Sequence, residues 1–339
     1  MKGEPRGLAP TSAAVPVPLP RRGQAPGRKA PAPVIHHSPF TIHESLVGRR
    51  GALSYEFERE GPRTVLTRSS CTSPWHHFPP SYLDDSGCAY TWLVNPSGGL
   101  VGGDQVSVEA QLHAGAHVLM TSPSANRVYR SLAEPALQEI RLSVGPDARL
   151  EWLPEVTIPF AGSRFRQSIH VDLAPGATVV LWDAMASGRV ARQERWAFAS
   201  VENEICIRGL APAEKGDSPG AGQSQPVPVP LLSERYRVVP GQLPESVGLV
   251  GSWDYVASVF VIGDAVDVEV WKRLDVVLAS ILDRRPGLVL GGVSTPATPG
   301  LVVKIVARSA PDLTVTLEAI WVAIRKELWD LPVPNLRRY

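Results

Sequence analysis

Cysteine is scarce in this chain of 339 residues: Cys71, Cys88 and Cys206 are scattered, odd in number and without a Cys-x-x-Cys pair. That excludes a disulfide framework and suits a reducing compartment. Long apolar runs are missing too. None approaches the about 18–20 residues that span a bilayer, so no membrane partner is expected. An excess of charge is also absent, with 34 Lys and Arg against 33 Asp and Glu, so nothing draws the chain to nucleic acid or to an anionic surface. The N-terminus is basic but lacks the apolar core of a secretory signal, which makes the cytoplasm the default location. No Gly-x-Ser-x-Gly elbow appears, and no cysteine has a recognisable histidine partner, so nucleophilic catalysis is not expected. His113 and His117 have the spacing of a helical zinc pair, but they sit in strand and turn, where four residues span about 13 Å. No preformed His/Cys metal cage is expected.

Proline is plentiful. Residues 1–39 are rich in Pro, Ala and Arg and bury too little apolar surface to offset their ordering entropy, so they read as a disordered extension, with the folded part starting near Thr41. Hydrophobic residues make up 44% of the chain, enough for a sizeable core. Apolar and polar residues alternate over 51–59, 64–68, 104–112, 137–144 and 169–173, the pattern of half-buried strands, and 231–238 reads as a further strand. A faint repeat aligns Gly115, Gly145 and Gly176, each in a strand–turn–strand unit, with offsets of 30 and 31. Stacked units of this kind bury a common face, which predicts a mainly β, superhelical, solenoid-like body. Residues 209–230 form a low-complexity stretch read as a loop insertion. The tail from 255 to 330 predicts β-α-β-β-α, with helices opened by Asp264 or Asp267 and by Ser309.

Four glycines, Gly98, Gly99, Gly102 and Gly103, crowd the stretch Asn95-Pro-Ser-Gly-Gly-Leu-Val-Gly-Gly-Asp104. Neither the Walker spacing nor the dinucleotide spacing is present, so the loop is one whose main chain matters more than its side chains. Carboxylates beside or within apolar strands are costly unless paired, hydrated or functional. Asp104, Asp183 and Glu234 are of this kind. One reading is ion pairs with Arg189, Arg195 or Arg235. The other is a polar passage holding a divalent cation transiently, since oxygen donors hold transition metals less tightly than imidazole or thiolate.

The glycine loop, Ser122-Pro-Ser-Ala-Asn-Arg-Val-Tyr-Arg-Ser131, Leu150-Glu-Trp-Leu-Pro154, Leu181-Trp-Asp-Ala-Met-Ala-Ser-Gly-Arg189 and Leu232-Ser-Glu-Arg235 together resemble the urease accessory protein UreD (UreH) family, in order and in spacing apart from 209–230. The resemblance covers roughly residues 41–335. It implies a stacked-strand scaffold with two helices and no catalytic residues. It also implies a nickel-insertion chaperone that docks on apo-urease, recruits UreF and, through it, the GTPase UreG, and passes Ni²⁺ without binding it tightly. Asp104, Asp183 and Glu234 match the family's passage-associated positions, and Arg127, Tyr129 and Arg130 belong to its second motif. One departure is Leu153-Pro-Glu-Val156, where the acidic side chain sits one place earlier than in bacterial relatives and is expected to face the other side. The alternatives are a β-solenoid carbohydrate hydrolase using two of the carboxylates across an open groove, and a purely structural β-scaffold.

Overall fold

The computed structural model describes residues 49–211, 227–242 and 251–336. The extension over 1–39, Thr41 and the middle of the expected insertion lie outside these residues.

Two sheets face each other. The first runs β13 (Val227–Val238), β12 (Ser200–Ala211), β10 (Arg164–Leu173), β7 (Ala136–Val144), β4 (Gln105–Leu112), β1 (Arg50–Glu60) and β2 (Arg63–Cys71). Its inner strands are mutually parallel, and antiparallel β2 and β13 close its edges. The second runs β15 (Val289–Ser294), β16 (Gly300–Ala307), β14 (Tyr255–Gly263), β11 (Thr178–Ala186), β8 (Arg149–Leu153), β5 (His117–Thr121) and β3 (Ala89–Trp92), with short β6 (Asn126–Val128) and β9 (Thr157–Pro159) beside β11. Helices α1 (Val268–Leu282) and α2 (Ala310–Trp329) cover its outer face.

The parallel pairing follows from the repeat. Each rung is a strand of the first sheet, a tight turn and a strand of the second, and the next rung stacks on it. The register differs from the one the glycines indicate. Residue 117 pairs with 149 and 149 with 178, steps of 32 and 29 rather than 30 and 31. The turns close through Ala116 N–H to His113, Ala148 N–H to Gly145 and Ala177 N–H to Ala174, each at 3.1 Å. Their third positions are Gly115, Asp147 and Gly176, with φ of 68°, 55° and 78°. Aspartate tolerates this left-handed backbone better than most residues, so the middle rung keeps the turn without glycine there. Gly145 opens its own turn instead.

Burial separates the sheets. Strands of the first alternate, with β4 polar on the solvent side and apolar inside. The central strands of the second are covered on both faces, with β5 and most of β11 buried throughout, while its edge strand β15 is largely exposed. Between the sheets lies one apolar cluster containing Leu53, Val108, Ile140, Ile169, Ile205 and Phe260, and a second containing Val106, Phe165, Met185 and Val201. A third joins the second sheet to the helices through Trp182, Val259, Leu274, Leu278, Ile320 and Trp321. The β-α-β-β-α tail is as expected. Asp267 caps α1 by accepting the Glu269 N–H, and Ser309 caps α2 by accepting the Asp312 N–H. The expected insertion is narrower than 209–230, because Ala211 pairs with Val227 and both ends of that stretch belong to the β12–β13 hairpin.

Candidate functional site

The interior between the sheets is not uniformly apolar. In the first sheet Gln138, Gln167, Asn203 and Tyr236 occupy one register row across β7, β10, β12 and β13. In the facing sheet Asp183, Ser258 and Lys304 occupy one row across β11, β14 and β16. The amide row lies beside Ile140, Ile169 and Ile205 on one side and Ala136, Phe165 and Val201 on the other, so it forms a polar seam between the two inner apolar clusters.

The seam holds two hydrogen-bonded groups, one gathered on Asp183 and one on Glu234. Asn126 Nδ2 donates to Gln138 Oε1 at 3.3 Å, and Gln138 Nε2 donates to Gln167 Oε1 at 3.2 Å. Gln167 Nε2 donates to Asp183 Oδ1 at 2.8 Å and to Asn203 Oδ1 at 3.1 Å. Asn203 Nδ2 and the Tyr236 hydroxyl both donate to Asp183 Oδ2, at 2.9 and 3.3 Å. Beyond Asp183, Ser258 Oγ donates to Glu234 Oε1 at 3.0 Å, Lys304 Nζ donates to Ser258 Oγ at 2.8 Å, and Lys304 pairs with Glu234. Burial pushes the Asp183 carboxyl above the usual range, while the hydrogen bonds from Gln167 and Tyr236 and the charge of Lys304 pull it back. Burial likewise raises the Tyr236 phenol, which keeps it a donor.

A narrow cleft with room for water over about 100 Å³, partly open to solvent, leads into the seam. Asn95, Gly98, Gly99 and Asn126 line its mouth side, and Gln138, Gln167 and Asp183 line its inner end. Glu155 lines both this cleft and a smaller pocket beside α2, and its backbone N–H donates to Ser122 Oγ at 2.8 Å. The open space stops at Asp183.

The glycine loop and the second motif hold each other. Leu100 N–H donates to Arg127 O and Tyr129 N–H to Leu100 O, each at 2.8 Å. Tyr129 Oη donates to Gly98 O at 3.3 Å, and Arg127 Nη1 approaches the same carbonyl at 3.5 Å. A Cβ on Gly99 would stand 2.3 Å from Arg127 O, so glycine is required for this approach. Gly102 and Gly103 turn the chain against Ser131 and Pro135, and Arg130 lies beside Gly162.

The structure brings Asp183 and Glu234 to one seam and leaves Asp104 outside it. Asp104 Oδ1 and Oδ2 accept the N–H groups of Arg49 and Val101, each at 2.9 Å, which makes it the clasp of the glycine loop. The arginine pairing considered for Asp183 is not formed: Arg189 pairs with Glu194 and Arg195 with Asp254. Sequence reading missed Gln138, Gln167, Asn203, Tyr236, Ser258 and Lys304. A signal was present: Gln138, Gln167 and Asn203 each stand two places before an isoleucine, at the inward parity of their strands.

A second polar cluster lies under α2. Cys88, His117 and Glu151 are buried, with ligand atoms within 4.8 Å of one another, although the sequence gives no hint of a cysteine–histidine pairing. Arg325, fully buried, fills the cation position beside Glu151 at 3.5 Å, and burial pushes the Cys88 thiol well up. His113 belongs instead to a surface group with Glu56 and Glu58, so the two histidines do not share a site.

The UreD urease accessory protein family model matches residues 49–338. The chain belongs to the UreD family. It is 31% identical to the urease accessory protein UreD of Anaeromyxobacter sp. (strain Fw109-5) over 263 residues, 77% of this chain and 81% of that protein. It is 37% identical to UreD of Deinococcus radiodurans over 219 residues, 64% of this chain and 72% of that one, and 30% identical to UreD 2 of Streptomyces griseus over 308 residues, 88% and 97%. UreD relatives are named accessory proteins, so this member is a non-enzymatic helper and the hydrolase alternative is set aside. Among the described residues no helix is long and apolar enough to cross a membrane.

Proposed function

We propose that this UreD-family protein is a cytoplasmic chaperone of urease maturation that docks on apo-urease, is joined by UreF and through UreF by UreG, and conducts Ni²⁺ through the seam between its sheets toward the urease active site. The observation that carries the reading is the continuous row from Asn126 to Asp183 opening on the cleft. Buried amides and carboxylates cost stability relative to an apolar row, and the rows on either side are apolar until Glu234. A fold gains nothing in packing from such a seam, whereas a hydrated cation needs oxygen donors along its route. The donors suit transit: carboxylate, amide and hydroxyl oxygens bind Ni²⁺ more weakly than imidazole or thiolate would, so the ion is cargo and not a resident cofactor. Asp183 and Glu234 are the charged stations, and the glycine loop with Arg127, Tyr129 and Arg130 shapes the mouth.

The docking part is tested by pull-down. Full-length tagged protein is expected to retain purified apo-urease, to retain UreF, and to retain UreG only when UreF is present. Retention of none of these overturns the maturation role and leaves a structural scaffold of another assembly.

A further inference from the structure

We propose that Lys304 is a tethered cation that plugs the far end of the seam, and that a travelling divalent cation advances by displacing its ammonium from Glu234. The inference rests on the conduit reading and specifies how the closed half of the seam opens.

Four observations support it. The open cleft ends at Asp183, and from there the seam is closed by side-chain contacts alone. Lys304 stands in the same row as Asp183 and Ser258, and its ammonium holds Glu234 and Ser258 while lying 5.3 Å from the centre of the Phe260 ring. Its side chain is 51% exposed against 17% for Glu234, so the four-carbon stem can swing to solvent while the carboxylate stays inside. The groups facing the ammonium are Glu234 from β13, Asp183 from β11 and Ser258 and Phe260 from β14, with Tyr236 bonded to Asp183 behind them.

Displacement has a defined charge balance. Lys304 neutralises one carboxylate and leaves Asp183 with amide and phenol donors. A dication arriving at Asp183 brings charge that this carboxylate lacks, and as it advances to Glu234 the ammonium it releases moves into water, where its solvation is recovered. A monovalent cation brings no more charge than the ammonium, and it competes with a group tethered at an effective concentration on the order of millimolar or above. Lys304 thereby selects divalent over monovalent ions and clears a bound ion from Glu234 by returning, which makes it a positioning residue of the conduit and not a ligand.

The test is nickel binding to the full-length protein by equilibrium dialysis with metal analysis, in low and in high KCl. Lys304→Met, which keeps the stem and removes the charge, is expected to hold Ni²⁺ at least about tenfold more tightly at low KCl and to lose that gain as KCl rises, while the parent changes little. Lys304→Gln serves as a second neutral variant with the same expectation if the methionine variant is poorly folded. The double variant Lys304→Met/Glu234→Gln should return to the parent's affinity. Neutral variants that bind Ni²⁺ no more tightly than the parent, or a gain that persists without the Glu234 carboxylate, overturn the plug. The conduit reading fails separately, if Asp183→Asn and Glu234→Gln proteins load urease with nickel as fully as the parent does.

Discussion

Asp183→Asn is expected to cut the nickel content of co-expressed urease about tenfold while leaving the fold and the complex with apo-urease intact. The substitution keeps the shape and one acceptor oxygen but removes the charge at the inner end of the cleft. Its effect on stability runs the other way. Because burial raises the native pKa of Asp183, the group supports the fold below the ordinary carboxylate range, and that support is lost as pH rises through the raised value. The stability of Asp183→Asn relative to the parent should therefore increase between about pH 4 and neutrality, as urea unfolding at several pH values would read. A protein that retains a charge which weakens its own fold at neutral pH has a use for that charge. Asp104→Asn is the control. Its carboxylate clasps two backbone N–H groups of the glycine loop, so that variant should lose stability, and urease nickel only in step with the folded fraction. Full nickel with Asp183→Asn, or a loss that tracks unfolding, contradicts this assignment.

Arg325→Leu carries the largest expected cost to the fold. Arg325 is fully buried in α2, with its guanidinium 3.1 and 3.2 Å from the Tyr90 hydroxyl and 3.5 Å from both Asp84 and Glu151. Glu151 is itself fully buried, bonded to His117 at 2.9 Å and to the Trp321 indole at 2.5 Å. Removing the arginine strands that carboxylate between the second sheet and the helices. Breaking one partner of a buried pair costs about 3–5 kcal/mol, enough to consume much of the about 5–15 kcal/mol that holds a typical domain. Urea unfolding of Arg325→Leu is expected to show that loss, and the double variant Arg325→Leu/Glu151→Gln to recover part of it, because the fully buried carboxylate is then neutral while Asp84 keeps its bonds from Ser86 and Tyr90. Equal stability of the single variant and the parent would show that Glu151 does not depend on Arg325. The comparison also separates the two polar clusters: Arg325→Leu reads the contribution of the one under α2 to the fold, and Asp183→Asn reads the transport proposed for the one between the sheets.

Local signals were legible where one element decides its own fate. The caps at Asp267 and Ser309 opened the helices as read, because capping is a short-range hydrogen bond. The strands of the first sheet declared themselves through alternation, since one of their faces meets water. β5, β8 and β11 are buried on both faces and have no such period, so the repeat was their only trace. Its register was misjudged because glycine drew attention to Gly145, while the left-handed position belonged to Asp147. The site was legible in part. Asp183 and Glu234 stood out as carboxylates in apolar strands, but Asp104 carried the same signal for a different reason, a loop clasp. The amides of the seam are ordinary in composition, and only their shared parity across successive rungs marks them. Lys304 and Arg325 were out of reach because their partners Asp183, Glu234 and Glu151 lie 70 or more residues away in the chain.

A cation path between the sheets is the centre of the proposed function. Anomalous diffraction at the nickel edge from crystals of the full-length protein soaked in Ni²⁺ tests it most directly. The prediction is a partly occupied peak between the sheets, within coordination distance of an Asp183 oxygen, that vanishes in Asp183→Asn crystals. Peaks confined to the surface, such as at Glu56, Glu58 and His113, with none beside Asp183, would contradict it.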